Sequence, residues 1–286
     1  MKKILLFISI IFVLVLAACG SDSKSKENGS DDKQDPGEKE NIEIVIGASS
    51  TPHSEILEEA KPLLEEKGIT LKIEQYQDYV FPNDDLESGE LDANYFQHVP
   101  YLEDQVEKTG YDLDYIDGIH IEPMGIYSKT IESLDDIADG TEVILSNSEA
   151  DHVRILILLE KENLIKLDEA VNKDTATFDD IVDNPKDLEF SPDYEPAFLP
   201  ELYNTEADTL IAINTNYALD AGLNPLEDAL LIEDEESPYA NVIAVRSEDL
   251  DNEALNTLVE VLQSEEIQNF ILEKYEGAVV PAKGIK

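Results

Sequence analysis

The 286-residue chain has one cysteine, no tryptophan, and only 20 lysines and arginines against 65 aspartates and glutamates. A single cysteine cannot close an internal disulfide, so a fold that works outside the cytoplasm has to hold by packing alone. The formal net charge of −45 repels phosphate backbones and anionic headgroups, which excludes nucleic acid and an anionic membrane surface as docking partners. Also missing are a glycine-flanked serine elbow, a Walker-type phosphate loop, a dinucleotide glycine fingerprint after a strand and any paired-cysteine metal site. The chain is therefore expected not to be an enzyme, and no cofactor is implied. Close carboxylate pairs carry little chemical information here, because so many acids produce them by chance. What the chain does have is 42% hydrophobic residues, enough for a core, and a length that suggests about two domains.

The N-terminus reads as an address. Met1-Lys2-Lys3 is basic and residues 4–18 are almost uninterrupted apolar, the n-region and h-region of an export signal and shorter than the roughly 20 residues of a permanent membrane span. The run ends in Leu16-Ala17-Ala18-Cys19-Gly20, which resembles the lipobox of bacterial lipoproteins. That resemblance implies a signal peptide over 1–18, cleavage before Cys19, a diacylglyceryl group on its sulfur and further acylation in some organisms. Two or three acyl chains anchor a protein firmly where one holds it marginally. Residues 20–40 carry no aliphatic side chain and cannot offset their chain entropy, so 19–40 is expected to be a lipidated, disordered tether.

Beyond residue 41 the pattern alternates. Residues 42–47 predict a strand, 54–67 a helix ending before Gly68 and bent or split at Pro62, and 69–73 a second strand. A loop is expected around Pro82-Asn83-Asp84, a strand over 91–97, a helix from Pro100 to Lys108 closed by Gly110, and a strand over 115–121. Apolar runs at 142–145 and 209–213 each lead into helical patterns, at 149–164 and 215–219; 242–245 is the last clear strand, and 251–275 reads as helices. Strands separated by helices indicate a mainly parallel α/β sheet, whose ligands bind at the carboxyl ends of its strands.

Arginine occurs only at Arg154 and Arg246. Arg154 falls in the first turns of the helix after strand 142–145, where a planar donor and free backbone N–H groups suit an anion such as a carboxylate; pairing with a surface acid is the competing reading. Arg246 has only that second reading. If residues 94–98 are extended, Asn94, Phe96 and His98 share one face; equally, Phe96 could be core and His98 a helix cap. Asn214 and Asn241 follow or precede strands, where asparagine commonly serves as a turn or cap residue. His53, His98, His120 and His152 lie far apart in sequence, and a zinc site among them is not asked for by any spacing.

Taken together, these segments resemble the NlpA family of methionine-binding lipoproteins that serve ABC importers. The resemblance runs from residue 42 nearly to the end and rests on Pro52-His53-Ser54-Glu55-Ile56-Leu57, Asp78-Tyr79-Val80, Leu91-Asp92-Ala93-Asn94-Tyr95-Phe96-Gln97-His98 and Ile119-His120-Ile121-Glu122-Pro123-Met124-Gly125. It continues through Ile213-Asn214-Thr215-Asn216-Tyr217-Ala218, Ser237-Pro238-Tyr239-Ala240-Asn241 and Gly277-Ala278-Val279-Val280-Pro281. It implies a type II periplasmic-binding-protein-like α/β fold: one lobe from 41–125 plus 242–286, a second from 126–241, and a ligand cleft between them. It further implies that Arg154, Asn214 and Asn241 engage the carboxylate and amino groups of the ligand, while Tyr79, Phe96 and His98 line its side-chain slot. The ligand would be methionine or a related amino acid or small peptide, handed to an ABC permease with its ATPase by a receptor on the extracytoplasmic face of the membrane; a surface zinc receptor using histidines is the alternative. One departure stands out. Where the family usually has a proline-containing turn and an asparagine, this chain has Ser146-Asn147-Ser148-Glu149-Ala150-Asp151-His152-Val153-Arg154. Glu149 and Asp151 add negative charge there and weaken carboxylate docking unless they pair with Arg154, His152 or the ligand's ammonium. The acidity as a whole fits an exterior of high salt or high pH, where acidic surfaces stay hydrated.

Overall fold

The computed structural model describes residues 41–234 and 238–282; the expected signal segment, Cys19 and tether lie outside the described residues. The chain begins with β1 (Ile42–Ser49), α1 (Glu55–Glu66), β2 (Ile69–Tyr76), α2 (Phe81–Ser88), β3 (Ala93–Tyr95), α3 (Val99–Thr109) and β4 (Leu113–Ile121). It continues with β5 (Gly125–Tyr127), β6 (Glu142–Ser146), α4 (Glu149–Lys161), β7 (Lys166–Leu167), β8 (Ile181–Asp183), β9 (Glu189–Tyr194), α5 (Leu199–Thr205), β10 (Leu210–Ile213), α6 (Thr215–Asp220), α7 (Pro225–Asp228) and β11 (Leu231–Ile232). The last elements are β12 (Ala240–Arg246), α8 (Glu253–Leu262), α9 (Glu265–Tyr275) and β13 (Val280–Pro281).

Two sheets organise these elements, ordered β13-β4-β12-β3-β1-β2 and β11-β5-β10-β6-β9, with β7 and β8 as a small separate ribbon. Side-chain alternation explains why each sheet is covered on both faces. In β12, Ile243 and Val245 join a core with Ile56 and Leu57 of α1 and Leu258 of α8, while Val242 and Ala244 face Leu86 and Leu102 of α2 and α3. In β6, Val143 and Leu145 pack on Ile155 and Leu159 of α4, whereas Ile144 packs with Leu199 of α5 and Ala218 of α6. The chain crosses from one sheet to the other between β4 and β5 and returns between β11 and β12.

Several expectations change. The sheets are mixed rather than mainly parallel: β12 runs antiparallel to both β3 and β4, and β5 antiparallel to β10. Strands that carry the chain between the sheets must enter against their neighbours' direction. Helix α1 is not split at Pro62, because Ile56, Leu57, Ala60 and Leu64 bury one continuous face that holds the helix through one missing donor. The expected loop at Pro82 is the first turn of α2, a position where proline's missing N–H costs nothing. The strand expected over 91–97 shortens to β3. Helix α3 ends as anticipated, with Gly110 at φ 78°, the left-handed conformation that glycine adopts without a Cβ penalty.

Candidate ligand-binding site

The elements of both sheets converge on a small cavity that is partly open to solvent. Tyr79, Phe96, His98, Arg154, Asn214 and Asn241, the six residues singled out from the sequence, all line it. Sequence reading did not select Gln97, Tyr101, Glu122, Thr215 and Asn216, which line it too. Asn94 does not reach the cavity. It is wholly buried and donates to Pro82 O and Asn83 Oδ1, in a polar cluster that also ties Gln97 to Asn83. Arg246, as expected, has only a structural part: it binds the carbonyls of Leu86 and Leu91 and pairs with Asp249.

One wall is aromatic. Tyr79 lies 5.7 Å from Phe96, 6.0 Å from Tyr101 and 5.1 Å from Tyr217, centroid to centroid. Tyr79 donates from its hydroxyl to Asn216 Oδ1 at 2.6 Å, and Tyr101 donates to the Tyr79 carbonyl at 3.0 Å, so the rings are held in place by their polar ends while their faces stay available. His98 is both cap and wall. Its Nδ1 accepts from Tyr101 N at the start of α3, and its Nε2 lies 3.8 Å from Asp151 Oδ1.

The opposite wall is ionic. Arg154 is 4% exposed and stacks its guanidinium 4.5 Å over the Tyr239 ring. Its Nε donates to both Glu233 oxygens at 3.0 and 3.2 Å, and Nη2 donates to Glu233 and, at 2.9 Å, to the Glu122 carbonyl. Of the two readings of Arg154, an anion site and a partner for an acid, the structure shows the second on one edge of the fork, where Glu233 sits; Nη1, 3.9 Å from Asp151 Oδ1, is not engaged by Glu233. Glu233 also accepts from Met124 N at 2.9 Å. The arginine–glutamate pair thus clamps the crossing segment between β4 and β5. Asp151, 2% exposed, accepts from Ser146 Oγ at 2.9 Å and Asn214 Nδ2 at 3.1 Å, both at Oδ2. Burial alone raises its pKa, yet the His98 contact and the Arg154 charge outweigh burial, and Asp151 is held below the ordinary carboxylate range. Glu149 takes no part, being exposed and paired with Lys108, and His152 turns away to the Ser146 carbonyl.

Behind the cavity lies a buried hub that spacing could not announce. His53 and His120, 67 residues apart in sequence, bring Nε2 to 3.2 and 2.7 Å from the same Glu122 Oε1. Tyr95 hydrogen-bonds to His120 Nδ1, and His53 Nε2 also meets Asn241 Oδ1 at 3.0 Å. Burial lowers the pKa of His53 to about 4, against the pull of Glu122, and that of His120 to about 3. Both rings are accordingly neutral; His120 can donate Nε2–H to Glu122, while His53 Nε2 hydrogen-bonds to Asn241 and lies close to the same carboxylate. These three side chains place one ligand atom each within 4.8 Å of one another, a spacing that a metal ion accepts, and among the described residues the buried His53 Nδ1 has no hydrogen-bond partner.

A two-lobed α/β fold that gathers polar side chains from both sheets around one cavity defines a substrate-binding protein of the periplasmic-binding-protein kind. The chain belongs to the NlpA lipoprotein family, whose sequence profile matches residues 44–283. The methionine-binding lipoprotein MetQ of Bacillus subtilis (strain 168) is 45% identical over 284 residues, 98% of this chain and 99% of that protein. Among solved structures, a pheromone cOB1 precursor/lipoprotein of the YaeC family from Enterococcus faecalis V583 has a TM-score of 0.82 at 49% identity, covering 84% of this chain and 100% of that one. A nutrient-binding protein from Burkholderia cenocepacia, solved bound to methionine, has a TM-score of 0.79 at 38% identity, with 84% and 100% of the two chains covered. Among the described residues no helix is long and apolar enough to cross a membrane.

Proposed function

We propose that this chain is a lipid-anchored receptor that encloses methionine, or a close relative such as a methionine-containing dipeptide, and delivers it to an ABC permease on the extracytoplasmic face. Residues 41–125 with 242–286 form one jaw and residues 126–241 the other; Cys19 carries the lipid. The supporting observation is the meeting of an aromatic wall, Tyr79 with Phe96 and Tyr101, and an ionic wall, Arg154 with Asp151 and Asn214, around one small cavity. Aromatic faces suit a polarizable thioether, and buried charges of both signs suit a zwitterion. Closing the jaws removes water, which strengthens the ionic contacts and creates a shape that a permease can distinguish.

Isothermal titration of the protein with L-methionine, D-methionine, Gly-Met and zinc tests the reading. Saturable heat with at least one methionine compound is expected, and no heat from any of them retires it. The zinc reading keeps one observation in its favour, the His53, His120 and Glu122 cluster. It predicts tight zinc binding that a chelator reverses and that His120→Gln abolishes.

A further inference from the structure

The cavity contains acceptors that only a donor can satisfy. Among the described residues, the buried Asn214 Oδ1 has no hydrogen-bond partner, while its Nδ2 donates to Asp151. Asp151 Oδ2 is filled by Ser146 and Asn214, whereas Oδ1 faces His98 Nε2 at 3.8 Å and Arg154 Nη1 at 3.9 Å, both beyond hydrogen-bond reach. Two oxygen acceptors, one of them on an anion, therefore belong to neighbouring cavity-lining residues that the Asn214 amide joins. A buried, unsatisfied carbonyl and an underused carboxylate oxygen both cost free energy, and a ligand that donates to them recovers it. A carboxylate ligand cannot do so, since it only accepts. A hydroxyl supplies one hydrogen and no charge.

From this geometry we infer that Asp151 determines specificity: its Oδ1, with Asn214 Oδ1 beside it, receives a primary ammonium group, so the protein takes amine-bearing ligands and rejects the isosteric hydroxy, acylated or deaminated ones. The inference deepens the receptor reading above and rests on it. The negative charge that sets this chain apart just before Arg154 is then not a defect in an anion site. It is the second half of a zwitterion site, with the ligand carboxylate left to Arg154 Nη1 and the amide of Asn241. Asn214 acts as a bridge: donating Nδ2 to Asp151 orients its carbonyl toward the same incoming N–H donors. A site that hydrogen-bonds a charged donor discriminates strongly against the analogue lacking it, because the buried acceptors are then left bare.

The test titrates the wild-type protein and the variants Asp151→Asn and Asp151→Glu with matched pairs. L-Methionine is set against 2-hydroxy-4-(methylthio)butanoate and N-acetyl-L-methionine, and a panel of other amino acids against their 2-hydroxy counterparts. Wild type is expected to prefer the amine by about 100-fold or more, and Asp151→Asn to weaken amine binding by about 30-fold while changing hydroxy-acid binding by less than about 3-fold, magnitudes typical of a hydrogen bond to a charged group. Asp151→Glu, which keeps the charge, should retain the preference, and a thermal melt confirms that each variant is folded. If methionine fails but another amino acid binds over its hydroxy counterpart, the methionine reading falls and the ammonium site stands. The inference is overturned if wild type binds a hydroxy acid as tightly as its amine, if Asp151→Asn keeps the wild-type preference, or if no amine in the panel binds at all. Should Asp151→Asn not fold, the wild-type pairs and Asp151→Glu still decide.

Discussion

Asp151 and Glu122 are both carboxylates, both nearly inaccessible to solvent, and both beside Arg154, yet their protonation behaviour runs in opposite directions. Asp151 is drawn below the usual range although burial pushes the other way, because His98, Arg154 and Asn214 all favour its anion. Glu122 is pushed up by burial, with His53, Arg154 and the Asn216 amide only partly offsetting it. The imidazoles beside Glu122 are themselves neutral, so His120 donates a hydrogen bond and neither ring brings charge. A buried acid thus becomes a charged recognition group only when aligned, charged donors outweigh its desolvation. Glu122 instead serves as the hub that ties the floor of the cavity together.

Removing the cation shared by both acids should break this contrast most severely. Arg154→Ala removes a buried guanidinium and leaves the part-buried Glu233 without its partner; it should destabilise the protein by about 3 kcal/mol, read by chemical denaturation, and should abolish ligand heat. Next in size is the acid response of the hub. His53 and His120 have folded pKa values of about 4 and 3, below the ordinary histidine value, so the unfolded chain takes up protons first and stability falls as pH drops from about 6.5 toward 4. The raised Glu122 opposes this, since the fold favours its protonated form as pH drops. A net fall of about 5 °C or more in the unfolding midpoint over that window is expected, with a shallower slope in His120→Gln; a flat profile would mean the hub is not neutral. Asp151, whose pKa is depressed, adds a separate limb: its stabilisation is present above the ordinary aspartate range and lost only as pH falls through its lower folded value.

Tyr79→Phe removes the bond to Asn216 but keeps the ring, and should lower stability and affinity by about 1 kcal/mol. Glu149→Gln is the smallest change: its side chain is exposed, so an effect below about 0.5 kcal/mol on melting and no change in binding are expected. The acidic surface should also make the unfolding midpoint rise with added salt as like charges are screened, and a steady fall across a salt series would count against an adaptation to high salt.

The pattern of residues made much of this molecule legible. Alternating apolar runs and helical stripes located β1, β6, β10, α1, α4 and the C-terminal helices to within a few residues, because those segments bury one-sided or two-sided faces that leave a periodic trace. The short strands β5, β9, β11 and β13 left no such trace, being two to six residues long and defined by pairing partners distant in the chain. At the site, Arg154, Phe96 and the asparagines stood out by residue type and resemblance. Glu233 did not, since one acid among 65 carries no signal until an arginine is found lying against it. The same holds for Glu122 with its two histidines.

The order of apolar and polar residues by itself determined which segments become strands and helices, and the resemblance of their motifs marked the family. Tertiary structure alone decided that Glu233 takes one edge of Arg154 and that Asp151 accepts from Ser146 and Asn214 at the same oxygen. The physical reason is that periodicity reports burial of single elements, whereas hydrogen bonding and charge at the site depend on ångström-scale distances between side chains that only the folded chain brings together.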